Sequence, residues 1–361
     1  MCYGFSVYFG LDNTREENIK LLKEAYKLKF TRIFTSLHIP EANYDILKSE
    51  IKEFFKIAKE YNMDIISDIS PNTFKFLGLD NMDLKGLSNI GVKTIRIDFG
   101  YTEEEIAKMS KNIYGIKIQL NASTTTEEFL KKLDKYSPNY NNIDALHNFY
   151  PRVGTGISEK CMKEKNAILN QRGIKVSAFV QSNNKKRGPL KDGLPTLEDH
   201  RSMDVREAAN HLFALGNQCV FIGDSLPSEK ELKDLSSLKP DAIELLIKLK
   251  DYSDITFRLL KETYTQRIDE ARDAIRASES RLIIKDEKIK AFNTVDKKCG
   301  DITIDNENYM RYMGELQILK TNQKGDYRTN VVASVLKRYI YLLKYIEGGK
   351  KFYFTIADRE N

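Results

Sequence analysis

The sequence predicts an α/β fold: a (β/α)8 TIM-type barrel over residues 1–238, followed by a small, mostly β domain over residues 241–361. Three observations predict it. A cadence of short apolar run, polar residues and amphipathic helix repeats eight times in the first two-thirds of the chain. Four of the helical segments open on [ST]xxE, in which a hydroxyl accepts from the N3 amide and the glutamate returns to the N-cap amide. After Leu238-Lys239-Pro240 the texture changes to strand-like runs separated by Gly, Asn and Asp.

Taken in order, Phe5–Tyr8 leads to a helix opened by Thr14-Arg15-Glu16-Glu17. Thr31–Ser36 leads to a helix ending near Tyr61, and Met63–Ile69 leads through Ser70-Pro71 to a short helix near Leu84–Asn89. Thr94–Phe99 precedes the cap Thr102 to Glu105, and Ile116–Leu120 precedes Thr125 to Glu128. Ile143–Leu146 precedes a helix from about Ser158 to Gln171. Ile174–Val180 precedes, after a long loop, Val205–Leu215, and Cys219–Ile222 precedes the cap Ser228 to Glu231. Beyond Pro240 the expected strands are Ile243–Leu249, Asp301–Ile304, Glu315–Leu319 and Asn330–Leu336. A doubly wound open sheet is the alternative, but Gly10-Leu11-Asp12-Asn13 is not the glycine-rich phosphate turn it needs.

Composition narrows the function classes. The chain has 361 residues, 41% hydrophobic and 30% charged, which is globular. No apolar run nears the ~20 residues that span a bilayer. The first residues carry no basic segment, so no secretory signal is expected and a cytoplasmic location is. Cys2, Cys161, Cys219 and Cys299 have no CxxC spacing and are expected to be free thiols. His38, His147, His200 and His211 form no metal-binding pattern, so neither metal nor cofactor is expected. The net charge of +6 is mild, and its one tight cluster, Lys185-Lys186-Arg187, has no interleaved aromatics. That argues against a nucleic-acid surface and fits a small anionic substrate or plain solvation.

Alternation along the strands assigns the lumen. The inward sets are Asp64, Ile66 and Asp68; Arg96 and Asp98; Lys117, Gln119 and Asn121; and Lys175, Ser177 and Phe179. The lumen is thus expected to be polar, with Arg96 paired to Asp98 and Lys117 paired to a neighbouring Asp. Active sites of such barrels lie at the C-terminal strand ends. There stand Tyr8, Ser36, Asp68, Asp98, Asn121, His147, Asn148, Ser182 and Asp224. Asp68 and Asp98 end adjacent strands, and strand spacing of ~4.8 Å makes a carboxyl separation of roughly 5–7 Å plausible. A retaining glycosidase needs ~5–5.5 Å and an inverting one ~6.5–9.5 Å. The ordinary alternative is that these aspartates cap helices or hold Arg96. Lys117 and Lys175 lie at the lower strand ends, which disfavours a Schiff-base aldolase.

Two loops add functional groups. Leu146-His147-Asn148-Phe149-Tyr150-Pro151-Arg152 crowds imidazole, carboxamide, phenol and guanidinium where a strand stops at proline. Gly193-Leu194-Pro195-Thr196-Leu197-Glu198-Asp199-His200-Arg201 brings Glu198, a reserve proton donor, with His200 and Arg201 to the same rim. The alternative there is a helix start opened by Asp199.

Several motifs in order give a family resemblance. Asp68-Ile69-Ser70-Pro71, Arg96-Ile97-Asp98-Phe99-Gly100-Tyr101-Thr102, Leu120-Asn121-Ala122-Ser123-Thr124, His147 to Pro151, Gly193 to Arg201, and Gly300-Asp301-Ile302-Thr303-Ile304-Asp305-Asn306 resemble the bacterial 6-phospho-N-acetylmuramidases. The resemblance implies a barrel followed by a cyclophilin-like β domain. It implies cytoplasmic hydrolysis of the β-1,4 bond between N-acetylmuramate 6-phosphate and N-acetylglucosamine in cell-wall recycling. Gly223-Asp224-Ser225-Leu226 has Asp where relatives are expected to have Asn.

The expected enzyme is a metal-independent phosphoglycosidase. Asp98 is assigned as nucleophile or stabiliser and Asp68, or Glu198, as acid/base, by position rather than by the resemblance. The substrate's own acetamide is a possible replacement nucleophile. Arg152, Arg187 and Arg201 suit phosphate and carboxylate, Tyr8 and Tyr150 suit sugar faces, and Asn121 and Asn148 suit the acetamide or hydroxyls. In the second domain Arg276, Arg281 and Arg311, with Tyr309 and Glu315, are candidates for phosphate contacts, against the default of surface arginines. The alternatives are a phosphosugar lyase or isomerase on the same barrel, and a non-catalytic sugar-phosphate binding protein. The oligomeric state is not predicted.

Overall fold

Eight parallel strands close on themselves in chain order: β1 (Cys2–Val7), β2 (Arg32–Ser36), β3 (Asp64–Ile69), β4 (Val92–Ile97), β5 (Lys117–Asn121), β6 (Ile143–Leu146), β7 (Lys175–Val180) and β8 (Cys219–Ile222). They are seen in a computed structural model that describes residues 2–36, 44–69, 74, 78–80, 82–97, 100–284 and 287–357. The chain divides into two compact units, Met1–Leu238 and Lys239–Asn361. Among the described residues no helix is long and apolar enough to cross a membrane.

Helix starts follow local chemistry. Capping boxes form at Thr14 with Glu17, Thr102 with Glu105, and Ser228 with Glu231. The fourth is displaced by one residue. Thr126 caps the helix Glu127–Asp134, while the Thr125 hydroxyl donates back to the Asn121 carbonyl. Two adjacent threonines compete for one cap, and the chain's exit from β5 decides between them.

The lumen is layered rather than uniformly polar. Phe34, Ile66, Phe179 and Phe221 fill its middle, with Leu146 and Tyr8 in the same buried cluster. The Phe34 and Phe179 centroids lie 5.2 Å apart, in edge-to-face geometry. Gly4 makes room for this layer: a Cβ there would come within 2.2 Å of the Phe221 ring. Below it, Arg32 donates to Asp64 (Nε to Oδ2, 2.9 Å) and pairs with Asp144 at 2.9 Å. Thr94 and Gln119 donate to the same two carboxylates. The buried cation of this lower layer is therefore Arg32. Lys117, expected to pair with an aspartate, stands exposed at the start of β5 and, with Lys175, lines a cavity of about 310 Å3 at the lower mouth.

One expectation about the thiols is overturned. Cys2 and Cys219 occupy opposed positions on β1 and β8, with Cα atoms 4.7 Å apart, and form a disulfide. Strand register across 217 residues creates that proximity, which spacing in the sequence does not reveal. Cys161 and Cys299 are free.

In the second unit a seven-stranded sheet runs β10-β15-β9-β14-β12-β13-β11. The strands are β9 (Ala242–Leu249), β10 (Thr263–Thr265), β11 (Ala274–Arg276), β12 (Asp301–Asp305), β13 (Leu316–Leu319), β14 (Thr329–Val335) and β15 (Lys351–Ile356). Four were expected. β10 and β11 are three residues each, too short to show a period. β15 lies parallel to β9 and buries Phe352 and Phe354 beside Tyr264.

Candidate active site

The register of β3 against β4 sets Asp68 opposite Arg96 at the upper end of the barrel. The Arg96 guanidinium is 4% exposed and donates to Asp68 Oδ1 at 2.9 Å and to Asn148 Oδ1 at 2.5 Å. Asp68 keeps a quarter of its side chain exposed at the mouth. Asp98, the expected partner of Arg96, lies outside the described residues. Asp68 is the carboxylate seen on Arg96, an arrangement that stabilises negative charge on Asp68.

His147 does not reach the mouth. It is fully buried, with Nδ1 3.0 Å from Ser123 Oγ and Nε2 2.9 Å from Asn166 Oδ1. Ser123 Oγ also accepts from the Asn148 amide at 3.0 Å. The serine O–H is then left to donate to Nδ1, so Nε2 carries the imidazole proton and donates to Asn166. Burial lowers the His147 pKa to about 4, so the ring stays neutral at pH 7. Its expected substrate contact becomes a positioning role: it aligns Ser123, which holds Asn148. Strand alternation explains this, because Asp144 and Leu146 point inward and His147 outward toward the helices.

The long loop after β7 corrects three further assignments. Glu198 accepts Arg201 Nε at 2.7 Å, Gly154 N at 2.9 Å and Gly156 N at 2.7 Å. These bonds, led by Arg201, hold its pKa near 2. It is thus fixed as an anion and unsuited to donate a proton. Arg201 spends its guanidinium on Glu198 and on the carbonyls of Tyr150, Arg152, Asp192 and Gly193. Together they strap the loop after β6 to the loop after β7. His200 is fully buried and bonded to His211 at 2.9 Å, and burial drives its pKa well down. Glu198 and Arg201 are engaged in this strap and His200 is enclosed beneath it.

Asp224 is fully buried and accepts amides from Ser182 (2.8 Å), Arg187 (3.0 Å) and Leu194 (3.2 Å). Desolvation raises its pKa against those three donors. It organises the long loop rather than facing the mouth. Gly193 is required there: its φ is +91°, and a Cβ would fall 2.1 Å from Gln181 Oε1.

Tyr8 is 2% exposed, with its hydroxyl donating to the Gly223 carbonyl at 2.7 Å. Burial raises its pKa, and Arg187, Asp224 and Asp68 all act on it electrostatically. Its ring packs against Phe34 and Phe149, and Arg187 lies over both Tyr8 and Phe149. Phe149 was missed as a site residue, although its place beside Asn148 after a strand end was a usable signal. Asn121 is buried, with Oδ1 accepting from Ser123 N at 3.0 Å. Tyr150 is half-buried and Arg152 exposed, and both lend carbonyls to Arg201.

In the second unit Arg276 is held by Glu315 (Nε to Oε1, 2.7 Å). Arg281 donates to the Arg311 carbonyl and lies over Tyr312. Sequence reading overlooked Asp305, whose pKa burial and then Glu315 push up to about 7. Among the described residues no group of three His, Cys, Asp or Glu is placed to hold a metal.

Residues 3–237 match the family model described as 6-phospho-N-acetylmuramidase, N-terminal, and residues 243–355 the model described as 6-phospho-N-acetylmuramidase, C-terminal. A comparison with curated proteins finds no match. An uncharacterised Bacillus cereus protein of known crystal structure is 29% identical, with 98% of this chain and 99% of that one covered, at a TM-score of 0.83. A conserved Enterococcus faecalis protein of unknown function is 33% identical, with 99% and 96% covered, at a TM-score of 0.68. With both units matched in order along almost the whole chain, this protein belongs to the 6-phospho-N-acetylmuramidase family.

Proposed function

We propose that the chain is a glycoside hydrolase that cleaves the β-1,4 bond between N-acetylmuramate 6-phosphate and N-acetylglucosamine, in cytoplasmic recycling of cell-wall fragments. The observation that carries the reading is the Asp68–Arg96–Asn148 network at the upper barrel mouth of a chain in this family. Its small anionic substrate also suits the mild net charge of +6.

The ion pair reverses the roles drawn from sequence. Asp68, beside Arg96, takes the ionised role and stabilises the positive charge that develops at C1 of the muramate. Asp98, two positions beyond Arg96 in the chain, takes the acid/base role in place of Glu198. It protonates the leaving O4 as the C1–O4 bond breaks, the bonding pair staying on O4. It then accepts a proton from the water whose oxygen bonds to C1. Asn148, held by Ser123 and Arg96, takes a hydroxyl or the acetamide in this reading. The net change is one water added and no cofactor consumed.

Mass spectrometry of the purified chain with the 6-phosphorylated disaccharide and its unphosphorylated counterpart tests this. Cleavage of the phosphorylated form alone, with one water gained, is expected. Asp98→Asn should lower its kcat by about 10²–10⁴-fold. An unsaturated product would mean elimination, and cleavage of neither sugar would remove the proposed substrate.

A further inference from the structure

Arg187 stands apart from the other cations of the upper mouth. Arg96 is engaged by Asp68 and Asn148, and Arg201 by Glu198 and four carbonyls. Lys185 pairs with Glu17 at 3.0 Å. The Arg187 Nε is buried without an acceptor, as is that of Arg96, but among the described residues no other atom of the Arg187 guanidinium has an acceptor or ion-pair partner either. Leaving a buried donor unpaired costs free energy that an arriving oxyanion relieves.

The group is nonetheless built in place. Its guanidinium carbon lies 4.7 Å from the Tyr8 centroid and 4.9 Å from the Phe149 centroid, a cation–π platform. The backbone beneath is pinned on both sides. Arg187 N donates to Asp224, and Gly188 N donates to Asp12 Oδ2 at 2.9 Å. Lys185 and Leu226 exchange backbone bonds at 3.2 Å each way. A cation ordered before its ligand arrives loses little freedom on binding it.

We propose that Arg187 is the specificity-determining residue that receives the substrate's phosphate monoester, with Tyr8 and Phe149 as its platform. The inference rests on the phosphoglycosidase reading and names the group that reads the phosphate within it. A phosphate and the lactyl carboxylate offer similar oxyanion chemistry to a guanidinium fork. The neighbouring Lys186, close enough to act electrostatically on Asp224, adds a second positive charge and favours the dianion.

Calorimetric titration of the full chain with N-acetylmuramate 6-phosphate, N-acetylglucosamine 6-phosphate and N-acetylmuramate tests it. In Arg187→Gln both phosphorylated sugars should bind about 10–100-fold more weakly, and the wild-type preference for them should collapse. Thermal melting should barely change. Should that variant melt early, Arg187→Lys carries the test, with a several-fold loss confined to the phosphorylated sugars. A loss confined to the sugars bearing a lactyl group would assign Arg187 to the carboxylate and overturn the proposal. Equal weakening of all three, no weakening, or no phosphate preference in the wild type would overturn it too. If the wild type binds phosphorylated sugars yet cleaves no disaccharide, the reaction fails and the phosphate site stands.

Discussion

The two mouths of the barrel each hold a buried arginine, and their neighbours answer the two cations differently. At the lower mouth Arg32 lies between Asp64 and Asp144, which Thr94 and Gln119 also serve. At the upper mouth the partners of Arg96 among the described residues are one carboxylate, Asp68, and one neutral carboxamide, Asn148. Above it Arg187 is stacked on rings with no counter-ion among the described residues. A cation between two carboxylates is internally answered and has little left for a ligand. A mouth with unanswered positive charge and a half-open carboxylate is suited to one. The barrel's general polarity matches this: the C-terminal strand ends carry function and the N-terminal ends stability.

Substitutions at matched positions should break the comparison in opposite directions. The largest effect is expected from Asp68→Asn, which should lower kcat by about 10³-fold or more, with a stability loss smaller than that of Arg32→Met because the Asn oxygen still accepts from Arg96. Arg32→Met should do the reverse. It leaves half-buried Asp64 and buried Asp144 without their cation, costing about 3 kcal/mol in urea unfolding, while the folded fraction keeps its kcat. Loss of activity from Arg32→Met beyond its loss of folded protein would merge the two mouths into one functional unit.

A smaller effect sharpens the view of the upper mouth's supports. Glu198 is held ionised, with its pKa lowered to about 2 by Arg201 and two amides. A carboxyl depressed in the folded state contributes stability above its ordinary range near 4.5, and that contribution fades as pH falls toward 2. Glu198→Gln should therefore cost about 1–2 kcal/mol at pH 7, allowing for partial exposure, and the gap to wild type should close by about pH 2. Urea midpoints across that range check it. The smallest effect is expected from Ser123→Ala, which removes the link from His147 to the Asn148 amide. A roughly tenfold fall in kcat/KM is expected, with the pH profile unmoved above about pH 5, where His147 is neutral.

The legible parts of the molecule were those governed by local chemistry. Strands such as Ile143–Leu146 and capping boxes at Thr14, Thr102 and Ser228 follow from neighbours in the chain. Asp68 was legible as a mouth residue because it ends an apolar run. The less legible parts depend on partners far away in sequence. Glu198 looked like a proton donor until Gly154, Gly156 and Arg201 were seen around it. Arg96 was expected to pair with Asp98, which lies outside the described residues, and the carboxylate seen on it, Asp68, comes from β3.

By itself the sequence determined the barrel and the second β unit, because hydrophobic period and end-capping act over a few residues. The tertiary structure alone decided which polar groups are already answered. His147 turned outward, Cys2 met Cys219, Glu198 became a strap and Arg187 kept its charge unmatched among the described residues. The physical reason is that a side chain's chemistry depends on burial and on partners, and both are set by register across elements that the chain itself keeps far apart.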